Sequence, residues 1–260
     1  MQMDRSFTVT FLGTGTSQGI PVIGSDHPVC LSEDQKDKRL RVSVLMQWDR
    51  YDVVIDCGPD FRQQMLRENV NKIDAILLTH EHSDHTAGID DIRPFNFKQG
   101  NIPFYAHERV FGSLHERFGY IFETENKYPG APTIDEIKID KDFTFEIGGK
   151  RIVVIEAFHN KLPVLGFKID GFTYLTDVKT IKDSEIEKIK GTKILVINAL
   201  REEEHYSHFN LSEALEFIEK IKPEKAYLTH ISHIMGFHEE VQLKLPKNVH
   251  LAYDTLKIKI

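Results

Sequence analysis

The sequence predicts a layered α/β fold in which two β-sheets pack face to face and helices cover their outer faces. The chain has 260 residues, 40% hydrophobic and 28% charged, which suits one large domain with a substantial core. Short apolar runs alternate with helical segments in the order strands, helices, strands, helices, and each half opens with hairpin-like strands. A plain βαβ repeat fits this order less well. We therefore treat residues 1–260 as a single domain.

The first half of the chain opens with a strand and a glycine-rich loop. Residues 7–12 alternate and are β-branched, which predicts a strand. The loop Gly13-Thr14-Gly15-Thr16-Ser17-Gln18-Gly19 follows, and its glycine spacing and the later Pro21 fit neither a dinucleotide-binding loop nor a Walker loop. We predict instead a tight turn that lines the active site. The polar residues 33–41 are predicted to form an exposed loop.

The remaining elements follow from the same periodicities. In the first half we predict strands at 42–48, 52–56 and 73–79, a turn at 49–51 and a helix at 61–68. Residues 94–135 are rich in aromatics and prolines, which indicates a mixture of lid or pocket wall and packed loops. In the second half we predict strands at 143–147, 151–158, 165–169, 172–176, 193–198 and 226–229, with one or two more in 249–260. Helices are predicted at 182–190 and 211–221, the second opened by a capping box of Asn210 and Glu213.

Composition excludes several classes of protein. The formal net charge is -7 and there is no basic stripe, so a long nucleic-acid substrate is not expected. Cys30 and Cys57 are the only cysteines, which fits a reducing compartment without a disulfide framework. Residues 1–11 lack a basic region followed by an apolar stretch, so no signal peptide is predicted. The apolar runs are too short to span a bilayer, and we expect a cytoplasmic protein without membrane contact.

A cluster of metal-binding side chains carries the strongest functional signal. His80, His82, Asp84 and His85 lie within six residues, directly after a predicted strand. Three more predicted strands each run into a potential ligand, namely His159, Asp177 and His230. If these strand ends meet at one edge of the core, the side chains converge on one cleft. Imidazole and carboxylate ligands suit both zinc and manganese.

These residues divide naturally into two ligand sets. We predict that His80, His82, His159 and Asp177 bind one ion. Asp84, His85 and His230 would bind the second, with Asp177 bridging the two. The alternative is that Asp84 is only a helix N-cap and that each histidine makes an ordinary hydrogen bond. The density of the cluster favours a metal centre, because such a set is rarely assembled by chance.

The same residues carry a family resemblance. Thr79-His80-Glu81-His82-Ser83-Asp84-His85, with the later ligands, resembles the metallo-β-lactamase superfamily, whose fold is an αββα sandwich. The phrases Asp56-Cys57-Gly58-Pro59-Asp60 and Thr229-His230-Ile231-Ser232-His233, with the glycine-rich loop, are similar to the phosphodiesterase branch. That branch contains the phosphoribosyl 1,2-cyclic phosphate phosphodiesterases and, more distantly, tRNase Z. A bridging aspartate such as Asp177, rather than a cysteine ligand, fits this branch better than true lactamases.

The resemblance implies further site residues and partners. It places a catalytic proton donor at His208, with His205 as the nearby alternative, and gives Asp84 a catalytic as well as a ligand role. It also implies an outer structural zinc held by His27, Cys30 and His233. Here the sequence departs from the family, which uses three cysteines and one histidine, so occupancy of a third site is open. Relatives of this kind suggest a homodimer.

Three functions remain after these observations. The first is hydrolysis of a small phosphodiester, such as a cyclic phosphate or a nucleotide-like compound, with phosphoribosyl 1,2-cyclic phosphate as the best named candidate. The second is hydrolysis of a thioester, lactone or lactam at the same centre. The third is a metal-holding protein without catalysis, similar to the pyrroloquinoline quinone biosynthesis protein B. The intact ligand set favours an enzyme over the third.

Overall fold

A computed structural model gives the structure of residues 7–260. Residues 1–6 lie outside this range. The first residues of the predicted domain, and part of the segment for which no signal peptide is predicted, therefore lie outside the described residues. The strands in chain order are β1 Thr8–Gly13, β2 Ser43–Trp48, β3 Tyr51–Ile55, β4 Ala75–Leu77, β5 Ile102–Ala106, β6 Ile134–Lys138, β7 Thr144–Ile147, β8 Lys150–His159, β9 Leu162–Ile169, β10 Phe172–Tyr174, β11 Thr180–Ile181, β12 Ile194–Asn198, β13 Lys225–Thr229, β14 Val249–Leu251 and β15 Lys257–Lys259.

The strands form two mixed sheets. The first sheet has seven strands in the order β15-β1-β2-β3-β4-β5-β6. The second has eight strands, in the order β11-β8-β9-β10-β12-β13-β14 with β7 paired to β8. The last stretch of the chain contributes one strand to each sheet, because β14 pairs with β13 and β15 pairs with β1. The last residues of the chain therefore join the two sheets.

Helices connect and cover the sheets. They are α1 Pro28–Leu31, α2 Phe61–Arg67, α3 Ser83–Thr86, α4 Arg93–Gln99, α5 Glu108–Arg117, α6 Gly119–Phe122, α7 Asp183–Lys188, α8 Leu211–Ile221 and α9 His238–Lys244, with short 3-10 turns at Gln35–Asp37, Ile89–Ile92 and His233–Met235. Helix α8 has the predicted bounds, and both hydrogen bonds of the Asn210–Glu213 capping box are present. Within residues 7–260, no helix is long and apolar enough to cross a membrane.

Three apolar clusters define the layers. One lies between the sheets, where Val9 and Val44 of the first sheet join Val154 and Phe167 of the second. A second cluster joins the outer face of the first sheet to α2, α4 and α5. The third joins the outer face of the second sheet to α7, α8 and α9. The order is therefore helix, sheet, sheet, helix, and the predicted αββα sandwich is confirmed.

Two predictions about loops were wrong. Residues 33–41 are not exposed throughout, because the side chains of Asp37 and Arg39 are buried. The Arg39 guanidinium donates to Thr14 Oγ1 at 2.8 Å and to the Ala252 carbonyl at 2.5 Å, which satisfies a buried cation. Residues 94–135 contain helices and strand β5 rather than packed loops, although Pro94, Phe95 and Lys98 do line a pocket. Pro94 sits in the first turn of α4, where a missing N–H costs nothing.

Candidate metal centre

The ends of four strands meet at one edge of the sandwich, as predicted. His80 follows β4, His159 ends β8, Asp177 follows β10 and His230 follows β13. Asp177 and His230 have φ angles of 57° and 55°, a left-handed conformation that is uncommon for residues other than glycine. Such conformations cost about 1–3 kcal/mol each and gather at functional sites, where the surrounding structure holds them. The backbone is thus shaped to aim these two side chains at one point.

The Asp177 carboxylate lies at the middle of the cluster. Its Oδ2 is 3.3 Å from His85 Nε2, and its Oδ1 is 3.2 Å from His230 Nε2. Asp84 Oδ2 lies 3.2 Å from the same His85 nitrogen. The ligand atoms of Asp84, His85 and His230 all lie within 4.8 Å of one another, which is the predicted second ligand set. The two oxygens of Asp177 face different histidines, a geometry that suits a bridging ligand.

The first predicted ligand set is assembled less tightly. His80 Nε2 lies 2.9 Å from Nδ1 of His82, whose side chain is exposed. The ring centroids of His82 and His159 are 5.3 Å apart. In this structure His80 groups most closely with His85 and Asp177, and His159 groups with Asp177 and His208. The other six predicted ligands lie around Asp177, and the division of the seven between two ions stays a prediction.

Three buried ring nitrogens that lack a hydrogen bond indicate whether a metal ion fits this site. His85 Nε2 and both ring nitrogens of His230 are buried without a hydrogen bond, although carboxylate oxygens lie nearby. Buried polar atoms nearly always have a bonding partner, so we expect these nitrogens to bind one as well. Burial opposes a charged ring, yet the carboxylates of Asp84 and Asp177 raise the pKa of His85 well above its usual value. A site that demands positive charge and offers unpaired imidazole nitrogens fits divalent cations.

Two groups orient the histidines. His85 Nδ1 donates to Asp56 Oδ2 at 2.7 Å, and Asp56 also accepts from the Thr79 backbone N–H at 2.8 Å. His159 Nδ1 donates to the Ser207 carbonyl at 2.7 Å. Each bond fixes the tautomer and leaves Nε2 free for a metal, an arrangement common around metal sites. No role was predicted for Asp56 from the sequence. Asp56 follows β3, which pairs in parallel with β4, and this position was the signal from which its place beside His85 could have been predicted.

His208 lies at the centre and His205 further out. His208 Nδ1 is 3.6 Å from Asp177 Oδ1, and its ring centroid is 4.3 Å from that of His159. The His205 ring is half-buried and 5.1 Å from that of His208. Burial lowers the pKa of His208 to about 2, and the nearby His230 ring is a second cause of this lowering. Burial therefore favours the neutral form of this ring.

Backbone contacts tie the site to its surroundings. At the end of β12, the Asn198 carboxamide accepts from the Val178 N–H at 2.7 Å and donates to the Val178 carbonyl at 3.0 Å. The same carbonyl accepts from the Phe209 N–H at 2.7 Å. Val178 follows Asp177 and Phe209 follows His208, so this hydrogen bond joins the two segments that bear Asp177 and His208. Together these bonds fix the Asp177 carboxylate relative to the loop that bears His208.

Two loops pack closely against the ligands. The Ile231 N–H donates to the Thr14 carbonyl at 2.9 Å, which places the glycine-rich loop beside His230, as predicted. On the other side, a Cβ added at Gly58 would lie 1.9 Å from the Asp84 carbonyl oxygen. A side chain cannot be accommodated at that distance, so glycine is required for the backbones to approach. The glycine-rich loop therefore borders the cleft beside His230, and Gly58 allows close backbone packing beside Asp84.

The proposed outer zinc residues are neighbours without forming a tight ligand cluster. The rings of His27 and His233 have centroids 5.0 Å apart. His27 Nδ1 accepts from the Val29 N–H as the cap of α1, and the Cys30 sulfur accepts from the Val22 N–H at 3.4 Å. In the part of the chain from 7 to 260, the groups with ligand atoms within 4.8 Å of one another do not include these residues. A third ion stays a prediction.

Comparison with known sequences gives the family. The model of the beta-lactamase superfamily domain matches residues 51–231. A protein of Porphyromonas gingivalis named octanoyltransferase is 40% identical over 248 residues, which cover 95% of this chain and 50% of that protein. A ribonuclease Z of Methanopyrus kandleri is 32% identical over 176 residues, 65% of this chain and 52% of its own. The chain thus spans about half the length of these curated relatives.

Solved structures agree. A structure described as a new diphosphatase from the PhnP family aligns with a TM-score of 0.91 and 38% identity, over 98% of this chain and 97% of its own. Zinc-bound PqqB from Methylobacterium extorquens (TM-score 0.78, 16% identity, 96% and 99% covered) and human short-form tRNase Z (0.68, 18%, 96% and 98%) share the fold. With its strand-end histidines and aspartates, this chain belongs to the beta-lactamase superfamily and has the metallo-β-lactamase fold.

Proposed function

We propose that the protein hydrolyses a small phosphodiester at a centre of two divalent cations. The observation that carries this proposal is the Asp177 carboxylate, whose two oxygens face His85 and His230 separately. When bound, the cations supply Lewis-acid polarisation of phosphoryl oxygens and lower the pKa of a coordinated water. Likeness to a PhnP-family diphosphatase and to a ribonuclease Z supports chemistry at phosphorus.

The reaction requires one bond to form and one to break. The oxygen of a water molecule bonds to phosphorus as that water gives up a proton to solvent, the bond from phosphorus to the leaving oxygen breaks, and the leaving oxygen takes up a proton. We assign Asp84, whose carboxylate is partly exposed beside His85, the role of accepting a hydrogen bond from the attacking water as well as binding metal. We assign His208 contact with the leaving oxygen. Proton donation requires the charged ring, and an anionic phosphodiester beside it favours that form.

The net charge of -7 favours a small substrate over a long nucleic acid. We propose a cyclic phosphate, with phosphoribosyl 1,2-cyclic phosphate as the named candidate, or a nucleotide-like phosphodiester, and zinc or manganese as the ions. Cleavage of a diphosphate linkage is the second candidate, favoured by the structure described as a diphosphatase. The octanoyltransferase name favours acyl chemistry only weakly, because the match leaves half of that protein uncovered.

A substrate panel with the metal-loaded protein tests this proposal. Elemental analysis is expected to find about two tightly held ions per chain. The panel consists of bis-(p-nitrophenyl) phosphate, a 2′,3′-cyclic nucleotide, phosphoribosyl 1,2-cyclic phosphate, a disubstituted diphosphate, a thioester and a lactam. We expect turnover of phosphodiesters above the last two compounds. Turnover of the thioester or lactam alone, or of no compound with both ions bound, contradicts the proposal.

Replacement of His208 by alanine separates its role from that of a ligand. We expect His208→Ala to keep its ions and to lower phosphodiester turnover by about a hundredfold, as for the loss of a proton-transfer group. His205→Ala is the matched control on a phosphodiester without a base, since that ring lies one step further from Asp177, and its effect there should be several-fold at most. Unchanged turnover in His208→Ala would remove it from the mechanism, and loss of an ion would make it a ligand.

A further inference from the structure

A row of aromatic rings runs from the metal centre to the surface. The ring centroids of His159 and His208 are 4.3 Å apart, those of His208 and His205 are 5.1 Å apart, and those of His205 and Tyr206 are 4.7 Å apart. Tyr206 ends the row with 74% of its surface exposed. Several large apolar side chains are exposed in residues 7–260, and this tyrosine is joined to the metal ligands through ring contacts.

The loop that bears these rings is anchored at both ends. The Leu200 N–H donates to the Phe209 carbonyl at 3.0 Å, which closes the loop at its base. In its interior, Ser207 is buried, its carbonyl accepts from His159, and its Oγ lies 3.2 Å from His205 Nδ1. Fixing the loop in advance removes part of the conformational entropy that binding would otherwise cost. An exposed tyrosine on an anchored loop is thus a ready surface for a ligand.

The row of rings offers flat surfaces to a substituent of a phosphate held at the metal centre. If that substituent extends along the row, a sugar would lie near His208 and a planar base near His205 and Tyr206. Every nucleobase has an aromatic face, and base–aromatic stacking is tolerant of sequence. Because the rings offer flat faces, both purines and pyrimidines can stack on them.

We propose that Tyr206 and His205 form a stacking surface for the nucleobase of the substrate, so that the preferred substrates are nucleotide-like phosphodiesters. This inference rests on the proposed phosphodiesterase function and names its substrate class. It assigns Tyr206 a role in specificity that neither the sequence motifs nor the ligand geometry required.

The test compares two substrates that differ only in the base. A nucleoside 2′,3′-cyclic phosphate is compared with methyl ribofuranoside 2′,3′-cyclic phosphate, which keeps the sugar and the phosphate, using the metal-loaded protein. We expect the wild type to prefer the base-bearing compound, chiefly through KM. In Tyr206→Ala the ratio of the two kcat/KM values should fall about tenfold, the size of a lost stacking contact. Tyr206→Phe, which keeps the aromatic face, should preserve the ratio.

Phe97→Ala is the matched control, because Phe97 is also 74% exposed but lies in α4 on the outer face of the first sheet. It should leave the ratio unchanged. A ratio that Tyr206→Ala does not alter overturns the inference while phosphodiester turnover still supports the proposed function. Calorimetric binding of a nucleoside monophosphate gives the independent readout. Weaker binding to Tyr206→Ala supports the stacking surface even if no diester is turned over, and equal binding to both proteins overturns it.

Discussion

Asp177→Asn is expected to lower phosphodiester turnover by at least about a thousandfold, since metal assistance contributes several kcal/mol and about 4 kcal/mol corresponds to that factor. The asparagine side chain has the same shape but offers one oxygen and one N–H₂ group. The nitrogen cannot replace the oxygen that faces either His85 Nε2 at 3.3 Å or His230 Nε2 at 3.2 Å. One ion should therefore be lost or held much more weakly. Elemental analysis and steady-state kinetics measure both effects.

The control for this variant is Asp49→Asn. Asp49 has a φ of 49°, close to the 57° of Asp177, but it lies in the exposed turn between β2 and β3. Asparagine adopts this left-handed conformation readily, so the control should match the wild type in folding, metal content and turnover. Full retention of both ions and of turnover in Asp177→Asn would show that this carboxylate does not bridge.

Gly58→Ala is expected to damage both stability and metal binding, although glycine and alanine differ by one methyl group. The added Cβ would lie 1.9 Å from the Asp84 carbonyl oxygen, far inside van der Waals contact. That neighbour is backbone, which cannot rotate away as a flexible side chain would. We expect the free energy of unfolding to fall by about 3 kcal/mol, the upper part of the range for overpacking. Metal affinity should fall as well, because the clash displaces a ligand-bearing loop.

Gly112→Ala separates this clash from the general effect of the substitution. Gly112 is exposed in helix α5, and a Cβ there would meet nothing within 4 Å. Alanine should raise the free energy of unfolding by about 0.5–1 kcal/mol, because glycine is unfavourable inside helices. Denaturant unfolding of both variants without metal, followed by metal titration, measures the two effects. Wild-type unfolding and metal affinity in Gly58→Ala would refute the steric account.

The sequence predicted features whose signal is local. Strand periodicity and a ligand placed directly after the strand were enough to bring His80, His159, Asp177 and His230 to one edge. The capping box at Asn210 needed only residues within one turn of α8. Such patterns involve neighbours in the chain, so they are readable before the fold is known.

The features that were missed depend on distant partners. Arg39 is buried because the Ala252 carbonyl and His238, about 200 residues later, receive its N–H groups. No pattern within residues 33–41 predicts those two partners. Asp56 gains its role only when the parallel pairing of β3 and β4 sets it beside His85. The lowered pKa of His208 likewise comes from burial that the assembled fold creates.

The hydrogen bonds around Val178 join two processes that a reaction scheme would treat as separate. Its N–H and carbonyl hold the segment after Asp177 to Asn198, and the same carbonyl holds the segment after His208. If bound ions order Asp177, we expect them to order the loop that bears His208 as well. Thermodynamic reciprocity then requires substrate to tighten the ions by the same factor by which the ions tighten substrate. Metal affinity measured on the free protein would understate the affinity that holds during turnover.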